Sequence, residues 1–488
     1  MSVRDQHPSY IRCIIDWKKV TDAYAGERTV KEQGAIYLPP TPGQVLDGMN
    51  EGQQGKQNYD AYRARARFPD FVSQAVEAMI GTMHRKPAVI KLPARLEPMM
   101  KRATLQGESL QMLLRRINEQ QLVVGRCGIL ADVVDGVGPE VLPYVAMYSA
   151  SDIINWDDGQ RNVVQQLNLI VLNESEYVRN NYVWQFQDKY RVLLLDAAIG
   201  TYKAGLFTEN SDIIDESKML EPSIAGRKLD RLPFVVINSK DVVADPDNPP
   251  LLGLAELAYA VYMAEADYRQ AIFMTGQDTL IVVGGGNDET FRVGAGARID
   301  VPMGGSAQYI GVSGSGIGEM RQALAADRSE AAEVGGRLLD STGGTGQSGD
   351  ALRIRVSART ASLNQVALAG AEGLQTLLRT IAVWVGANPD EVVVTPNLDF
   401  ADDPLNGGEL VNYMTAKGLG APLSNQSIHR ILQRKDITDM TYDEELAAIE
   451  EETMMDLVTK AKENATIGLD AITPPAQLDA NGNPLPPA

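Results

Sequence analysis

The sequence predicts an α+β protein in which helical and strand-rich stretches are largely segregated along the chain. Three observations lead there. Helical spacing dominates up to Gly125. About ninety residues richer in strand pattern follow. Beyond Pro250 a long helical stretch, a glycine-punctuated strand-like segment and a second helical stretch succeed one another. A chain of 488 residues is long enough for two to four packed regions.

Taken in order, Tyr10, Ile14, Trp17 and Val20 predict an amphipathic helix at the start. Residues 43–58 carry too many polar residues and glycines for an apolar face, so an exposed loop is expected. A second helical region covers 59–83, with Tyr62, Ala66, Phe68, Phe71, Val76 and Met79 as packing residues, and VIKLP is a short strand. Residues 108–124 suit another helix. GILADVV, LPYVAMYS, NVVQQLNLIVLNESEY, YVWQFQDKYRVLLLD, the segment 201–206 and RLPFVVINSK then suggest strands, most of them in an antiparallel meander.

The stretch LLGLAELAYAVYMAEADYRQAIFMT has no internal proline and would extend about 37 Å as a helix. Leu254, Leu257, Tyr259, Val261, Tyr262, Ala266 and Ile272 leave apolar area on several sides, so it should pack against more than one neighbour. Short strand-like pieces between glycines come next, and then a helix over 317–339 with Glu319, Asp327, Glu330 and Glu333. STGGTGQSGD, residues 341–350, is too polar and glycine-rich for a core and is expected to be a mobile loop. ALRIRVSA is a strand candidate leading into a long helix over 362–385, with VVVTPNLDF a further strand. A short helix over 409–417, a segment capped by Ser424 and an acidic helix from YDEEL follow; the proline-rich end is expected to be disordered.

Composition excludes several classes. A net charge of −19 opposes non-specific attraction to DNA or anionic lipid, and argues against a sequence reader with a basic face. Two cysteines, Cys13 and Cys127, are expected as reduced core thiols rather than a disulfide framework. MSVRDQHPSY has no apolar core of a secretory signal, and no run of 18 apolar residues occurs; the expectation is a chain made and folded in a cytoplasm, with no membrane.

Little catalytic chemistry is visible. GGG at 284–286 and GSGIG at 314–318 lack the phosphate-loop pattern and its lysine, so turn glycines are the plainer reading. His7, His84 and His429 form no ligand cluster. Asp157/Asp158 and Asp402/Asp403 are adjacent pairs that a solvated turn explains, and GVSGSG is no nucleophile elbow. RARARF concentrates Arg63, Arg65 and Arg67, either as a solvated or intersubunit ion-pairing face or as a contact for phosphate. Catalytic, cofactor-binding and metal residues are therefore expected to be none.

HPSYIRCIIDWKKVTDAYAGERTVKEQGAIYLPP, YDAYRARARFPDF, GTMHRKP, EQQLVVGRCGILADV, SASDIINW, RLPFVVIN, PPLLGLAELAYAVYMAEADYRQAIFMTGQDTLIVVG and APLSNQSIHRILQRKDI with YDEELAAIEEE occur in that order over 7–455. In this order they resemble a tailed-bacteriophage portal family, the DUF4055-like head-to-tail connectors. The resemblance implies a portal fold: 7–250 and 351–408 as wing, 251–275 and 317–340 as stem helices, 276–316 as a β-rich clip, 341–350 as channel loop, 409–467 as a crown-like helical region and 468–488 as a tail.

It also implies a non-enzymatic homo-oligomeric ring of twelve subunits at the unique capsid vertex. Double-stranded DNA would pass through without sequence readout, during packaging and ejection. The implied partners are the major capsid and scaffolding proteins, the terminase large subunit and a head–tail adaptor. Candidate channel-facing residues are Glu319, Asp327, Glu330, Glu333, Ser341, Thr342, Thr345 and Gln347; candidate docking residues on the clip are Asp288, Glu289, Arg292 and Arg298. The small, polar 341–350 segment departs from a tight grip by bulky side chains. Two other classes stay open: another structural virion component, such as a capsid or tail-tube subunit, and a DNA-packaging enzyme. The second needs convergent carboxylates or a phosphate loop.

Overall fold

A histidine–proline pair opens the first helix. His7 Nδ1 accepts the backbone N–H of Ser9 at 3.1 Å, Pro8 occupies the first turn, and α1 (Pro8–Ala25) stops at Gly26, whose φ of 89° suits glycine. Tyr10, Cys13, Trp17 and Val20 form its buried stripe. The computed structural model describes residues 2–133, 142–157, 167–196, 200–208, 213–224, 226–275, 279–283, 303–310, 315–339, 349–400, 407–434, 437–438 and 440–469. The chain divides into two units, Met1–Phe400 and Ala401–Ala488.

α2 (Glu27–Glu32) and α3 (Pro42–Leu46) follow α1. The expected 43–58 loop is thus partly helical. Thr41 Oγ1 accepts the Gln44 N–H at 3.4 Å and Gln44 Oε1 accepts the Thr41 N–H at 2.9 Å, a reciprocal capping box at the start of α3. α4 (Gln54–Arg65) and α5 (Phe71–Met83) replace the single helix expected over 59–83. Pro69 bars the residue before it from helical geometry and parts the two.

β1 (Val89–Lys91) and α6 (Leu110–Val123) come next, then β2 (Arg126–Asp132), β3 (Tyr144–Ser149) and β4 (Ile153–Asp157). β5 (Leu169–Asn173), β6 (Glu176–Asn180), β7 (Val183–Gln187), β8 (Lys189–Asp196) and β9 (Thr201–Thr208) form the meander. YVWQFQDKYRVLLLD supplies two strands of it, β7 and β8, divided at Asp188. β10 (Phe234–Asn238) closes a three-stranded antiparallel sheet of order β10-β2-β3; β4-β5-β8-β9 is a second, four-stranded sheet.

α7 (Leu252–Thr275), β11 (Thr279–Val283), β12 (Ser306–Ile310) and α8 (Ser315–Leu339) succeed one another, β11 and β12 pairing antiparallel. α9 (Gly349–Val385) is longer than expected and absorbs ALRIRVSA, the strand candidate. Leu352, Ile354 and Val356 alternate as in a strand, but they adjoin a run rich in alanine and leucine into which a helix propagates cooperatively. The last two residues of the expected 341–350 loop also belong to α9. β13 (Val393–Thr395) returns to pair with β1.

The core of the first unit lies where α6 and α9 cover the β10-β2-β3 sheet. Every residue of β2 is buried. Two glycines allow α9 to approach this closely. A Cβ on Gly373 would lie 2.4 Å from Ile237 Cγ1, and one on Gly370 would lie 2.5 Å from Asn118 Nδ2. Under Gly370 runs a buried amide network: Asn118 Nδ2 donates to Gln121 Oε1 at 2.8 Å, and Gln121 Nε2 donates to the Asn238 carbonyl at 2.7 Å. His84 joins it through Nε2, 2.9 Å from Asn118 Oδ1. Arg126 is fully buried, its guanidinium 4.1 Å from the Trp156 ring centre; burial pulls it down to about 10.

Ala361–Val385 is long and apolar enough to cross a membrane by length and composition, yet 67% of its most apolar stretch is buried, among it Leu374, Leu377, Leu378 and Ile381. Its apolar surface is thus accounted for by the core of the first unit. The second unit holds α10 (Gly407–Gly418), α11 (Asn425–Arg434) and α12 (Tyr442–Leu469). Ser424 Oγ accepts the Ser427 N–H at 3.0 Å, which is the cap the sequence predicts. The proline-rich segment 470–488 lies outside the described residues.

Candidate functional site: the α7–α8 helix pair

The broad apolar coverage of α7 is used on several sides. Leu254, Ala255, Ala258, Val261, Tyr262 and Ala266 are buried, and α7 packs on α1, α4, α5 and α8. Aromatic rings fix its rotation. Tyr259 stacks on Tyr37 with centroids 4.2 Å apart, and Tyr262 meets Phe68 edge-on at 5.8 Å. Tyr62 of α4 donates its hydroxyl to Asp267 at 2.6 Å; burial, then this carboxylate, raise the phenol above its ordinary range.

One carboxylate sets the register between the two long helices. Glu265 of α7 is 1% exposed; its Oε1 accepts from Arg269 Nε at 2.5 Å, and its Oε2 accepts from Arg328 of α8 at 2.8 Å. A buried carboxylate is costly unless paired, and here two guanidinium groups supply the pairing. Nothing in the sequence reading singled out Glu265. Its signal was an acid between Val261, Tyr262 and Ala266, residues of the apolar face, with Arg269 one turn on and a cation on the returning helix.

α8 divides into a packed face and a wet one. Leu324 and Ala331 are buried, whereas Glu319, Glu330 and Glu333 are exposed and Asp327 is half-buried. At about 100° per residue, Glu319, Glu330 and Glu333 fall within about 60° of one another, and Leu324 and Ala331 lie roughly 120–140° away. Three of the four acids expected on this helix, Glu319, Glu330 and Glu333, therefore share one side of it, whereas Asp327, about 40° from Ala331, borders the packed face. Ser315–Gly318 of GSGIG form the first turn of α8, and Gly314 lies outside the described residues. The other candidates, Ser341, Thr342, Thr345, Gln347, Asp288, Glu289, Arg292 and Arg298, lie outside the described residues, as does GGG of 284–286.

RARARF is largely used within its own chain. Arg63 pairs with Asp60 at 3.2 Å, and Arg65 donates to Gln270 at 2.5 Å with its guanidinium 4.1 Å over the Phe273 ring. Arg67 is exposed at a cleft of about 490 Å³ bordered also by Lys31, Arg269 and Phe273. Cys13 and Cys127 are free and buried, burial pushing the Cys127 thiol up to about 12. His7 stacks on Trp156 at 4.0 Å, and His429 Nε2 lies 3.1 Å from the Met440 carbonyl oxygen. Among the described residues, no three His, Cys, Asp or Glu side chains converge as metal ligands.

The family described as Domain of unknown function (DUF4055) matches residues 250–385, the span from just before α7 to the end of α9 and well short of half the chain. No curated protein matches. Among solved structures the chain is similar to a chain of "Neck of empty GTA particle computed with C6 symmetry", at 14% identity and a TM-score of 0.38, covering 75% of this chain and 90% of that one. It is likewise similar to a chain of "Neck of native GTA particle computed with C12 symmetry", at 14% identity and a TM-score of 0.37, covering 74% and 89%. TM-scores this low carry no argument about fold or function.

Proposed function

We propose that this chain is a phage portal subunit: a non-enzymatic component of a ring, expected to be twelvefold, through which double-stranded DNA enters and leaves a capsid. The observation that carries the reading is the helix, strand-pair, helix order of α7, β11–β12 and α8, with an acidic stripe opposite the packed face of α8. Such a helix pair suits the stem, and the segment between them the clip. The ordered sequence resemblance across 7–455 supports the same assignment. In this reading 7–250 and 351–408, with the body of α9, belong to the wing, and 409–467 to the crown-like region.

The acidic stripe fits a conduit better than a grip. Duplex DNA carries one negative charge per roughly 1.7 Å of axis, so a wall of carboxylates repels it and suppresses adhesion during sliding. The work of packaging would come from a terminase ATPase docked on the clip, with capsid, scaffolding and adaptor proteins as further partners in the virion. The portal itself would hydrolyse nothing.

Negative-stain electron microscopy of the purified full-length chain tests the ring. Hollow end-on views with about twelvefold symmetry are expected; open-ended tubes would move the chain to the tail, and DNA-stimulated ATP hydrolysis would make it an enzyme. The wall is tested by changing Glu319, Glu330 and Glu333 together to glutamine. Packaging should slow most at low ionic strength, where charge is least screened. Unchanged packaging at every salt concentration would remove the stripe from the mechanism.

A further inference from the structure

β6 and β7 form an arm. β5 and β8 pair within the four-stranded sheet from Leu169↔Leu194 to Asn173↔Tyr190, and the same two-stranded ribbon then continues as β6–β7, from Glu176↔Gln187 to Asn180↔Val183. Among the described residues no third strand accompanies it: the order in the larger sheet is β4-β5-β8-β9, and β6-β7 stands by itself. Five further residues per strand carry it about 17 Å past the sheet. All ten strand residues are exposed.

The two faces of the arm differ. The register puts Tyr177 opposite Phe186 and Arg179 opposite Trp184, so these four share one face; Glu176, Val178, Asn180, Val183, Gln185 and Gln187 share the other. Tyr177, Trp184 and Phe186 are 66%, 63% and 58% exposed, and Tyr182 at the tip is 92% exposed. The arm is also braced. Asn181 takes the left-handed turn at φ 56°, Arg179 Nε donates to its carbonyl at 2.7 Å, and Tyr177 and Phe186 meet edge-on at 5.2 Å. An isolated two-stranded ribbon is marginal in water, and tyrosine, tryptophan and arginine are the residues that dominate protein contacts.

We infer that the aromatic face of this arm docks on a second copy of the same chain and supplies part of the contact between neighbours in the ring. The inference rests on the portal reading. Two features favour a second copy as the occupant. First, chains of net charge −19 repel one another, and residues 176–187 carry one acid and one base, a neutral surface on which such copies can meet. Second, four large aromatics at this exposure offer roughly 500 Å². That exceeds half of the about 800 Å² that one side of a standard interface buries.

The test uses the full-length chain. Mass photometry across a dilution series compares the wild type with a Trp184→Glu, Phe186→Glu double variant, and a photo-crosslinking amino acid replaces Tyr182 in a third preparation. These side chains lie on an exposed arm, so the variant's circular dichroism and melting should match the wild type. Assembly of the double variant should require at least about tenfold more protein, and irradiation should join residue 182 to a different copy of the chain. Wild-type-like rings from the double variant, or crosslinks only within one chain or only to a capsid protein in an infected lysate, would overturn the arm contact and leave the ring intact. A wild type monomeric at every concentration would overturn the ring reading itself, and the arm contact with it.

Discussion

α8 and α9 are neighbours in sequence and opposites in use. α9 buries Leu363, Val366, Ala367, Leu374, Leu377, Leu378, Ile381 and Trp384 and presses Gly370 and Gly373 against the sheet and α6. α8, among its described side chains, buries Leu324 and Ala331 and turns its acids outward. Their attachments differ accordingly. α9 is held by close packing, in which position is set by steric fit. α8 lies along α7 and α5 with only a narrow stripe, Leu324 and Ala331, buried among its described side chains; Arg328 adds an ion pair to Glu265 of α7, and most of its described residues stay exposed. A helix that completes its burial within the chain serves the fold; one that leaves a patterned face exposed is where a function has to be sought.

Glycine substitution breaks this comparison most directly. Gly373→Leu should destabilise the full-length chain by about 3 kcal/mol, because the new side chain must enter space held by Ile237. Gly318→Leu on α8, where nothing lies within 4 Å of an added Cβ, should change stability by less than about 0.5 kcal/mol. Urea denaturation of both variants against wild type measures the difference. Equal effects would mean that α8 is as closely packed as α9.

A smaller loss is expected at the attachment between α7 and α8. Glu265→Gln leaves Arg269 and Arg328 facing a neutral amide, and should cost about 2 kcal/mol. A wholly buried pair would lose more, but Arg328 is about half exposed and water can solvate it. Because the contact joins two helices, limited proteolysis should find α8 cleaved faster than in the wild type, with α9 unaffected. Cleavage unchanged in α8 would show that apolar packing alone holds the pair.

The smallest effect sharpens the α9 side, through the network beneath Gly370. Burial lowers the His84 pKa below 6.5, so the unfolded chain binds the proton more readily than the folded one. Stability from this group is present in full above pH 6.5 and is lost as pH falls from there through the lowered folded value. His84→Gln should flatten that part of the stability–pH curve. Denaturation midpoints at pH 7.5, 6.5 and 5.5 test it; an unchanged slope would assign the acid sensitivity to other groups.

Much of this was legible before any coordinates. Periodicity located α1, α6, α7, α8 and the body of α9, and alternation located β2, β3 and β10. Local rules misplaced what nearby residues could not decide. ALRIRVSA alternates like a strand over eight residues, too few to outweigh the helix that continues from it. In YVWQFQDKYRVLLLD the pattern is continuous, and only pairing with β5 and β6 separates β8, with Val192 and Leu193 buried, from the wholly exposed β7. The acidic residues of α8 were legible as a group because their spacing alone puts most of them on one side.

The sequence by itself determined the α+β class, the negative charge, the long helices and the acid stripe, since composition and short-range spacing encode them. Tertiary structure decided that Glu265 is buried between two arginines, that Gly370 and Gly373 are places of close approach, and that the β6–β7 ribbon runs beyond its sheet with its aromatics exposed. The reason is physical. Burial and pairing belong to surfaces assembled from distant segments: Glu265 and Arg328 stand 63 residues apart, and no local pattern tells a covered aromatic strand from a bare one.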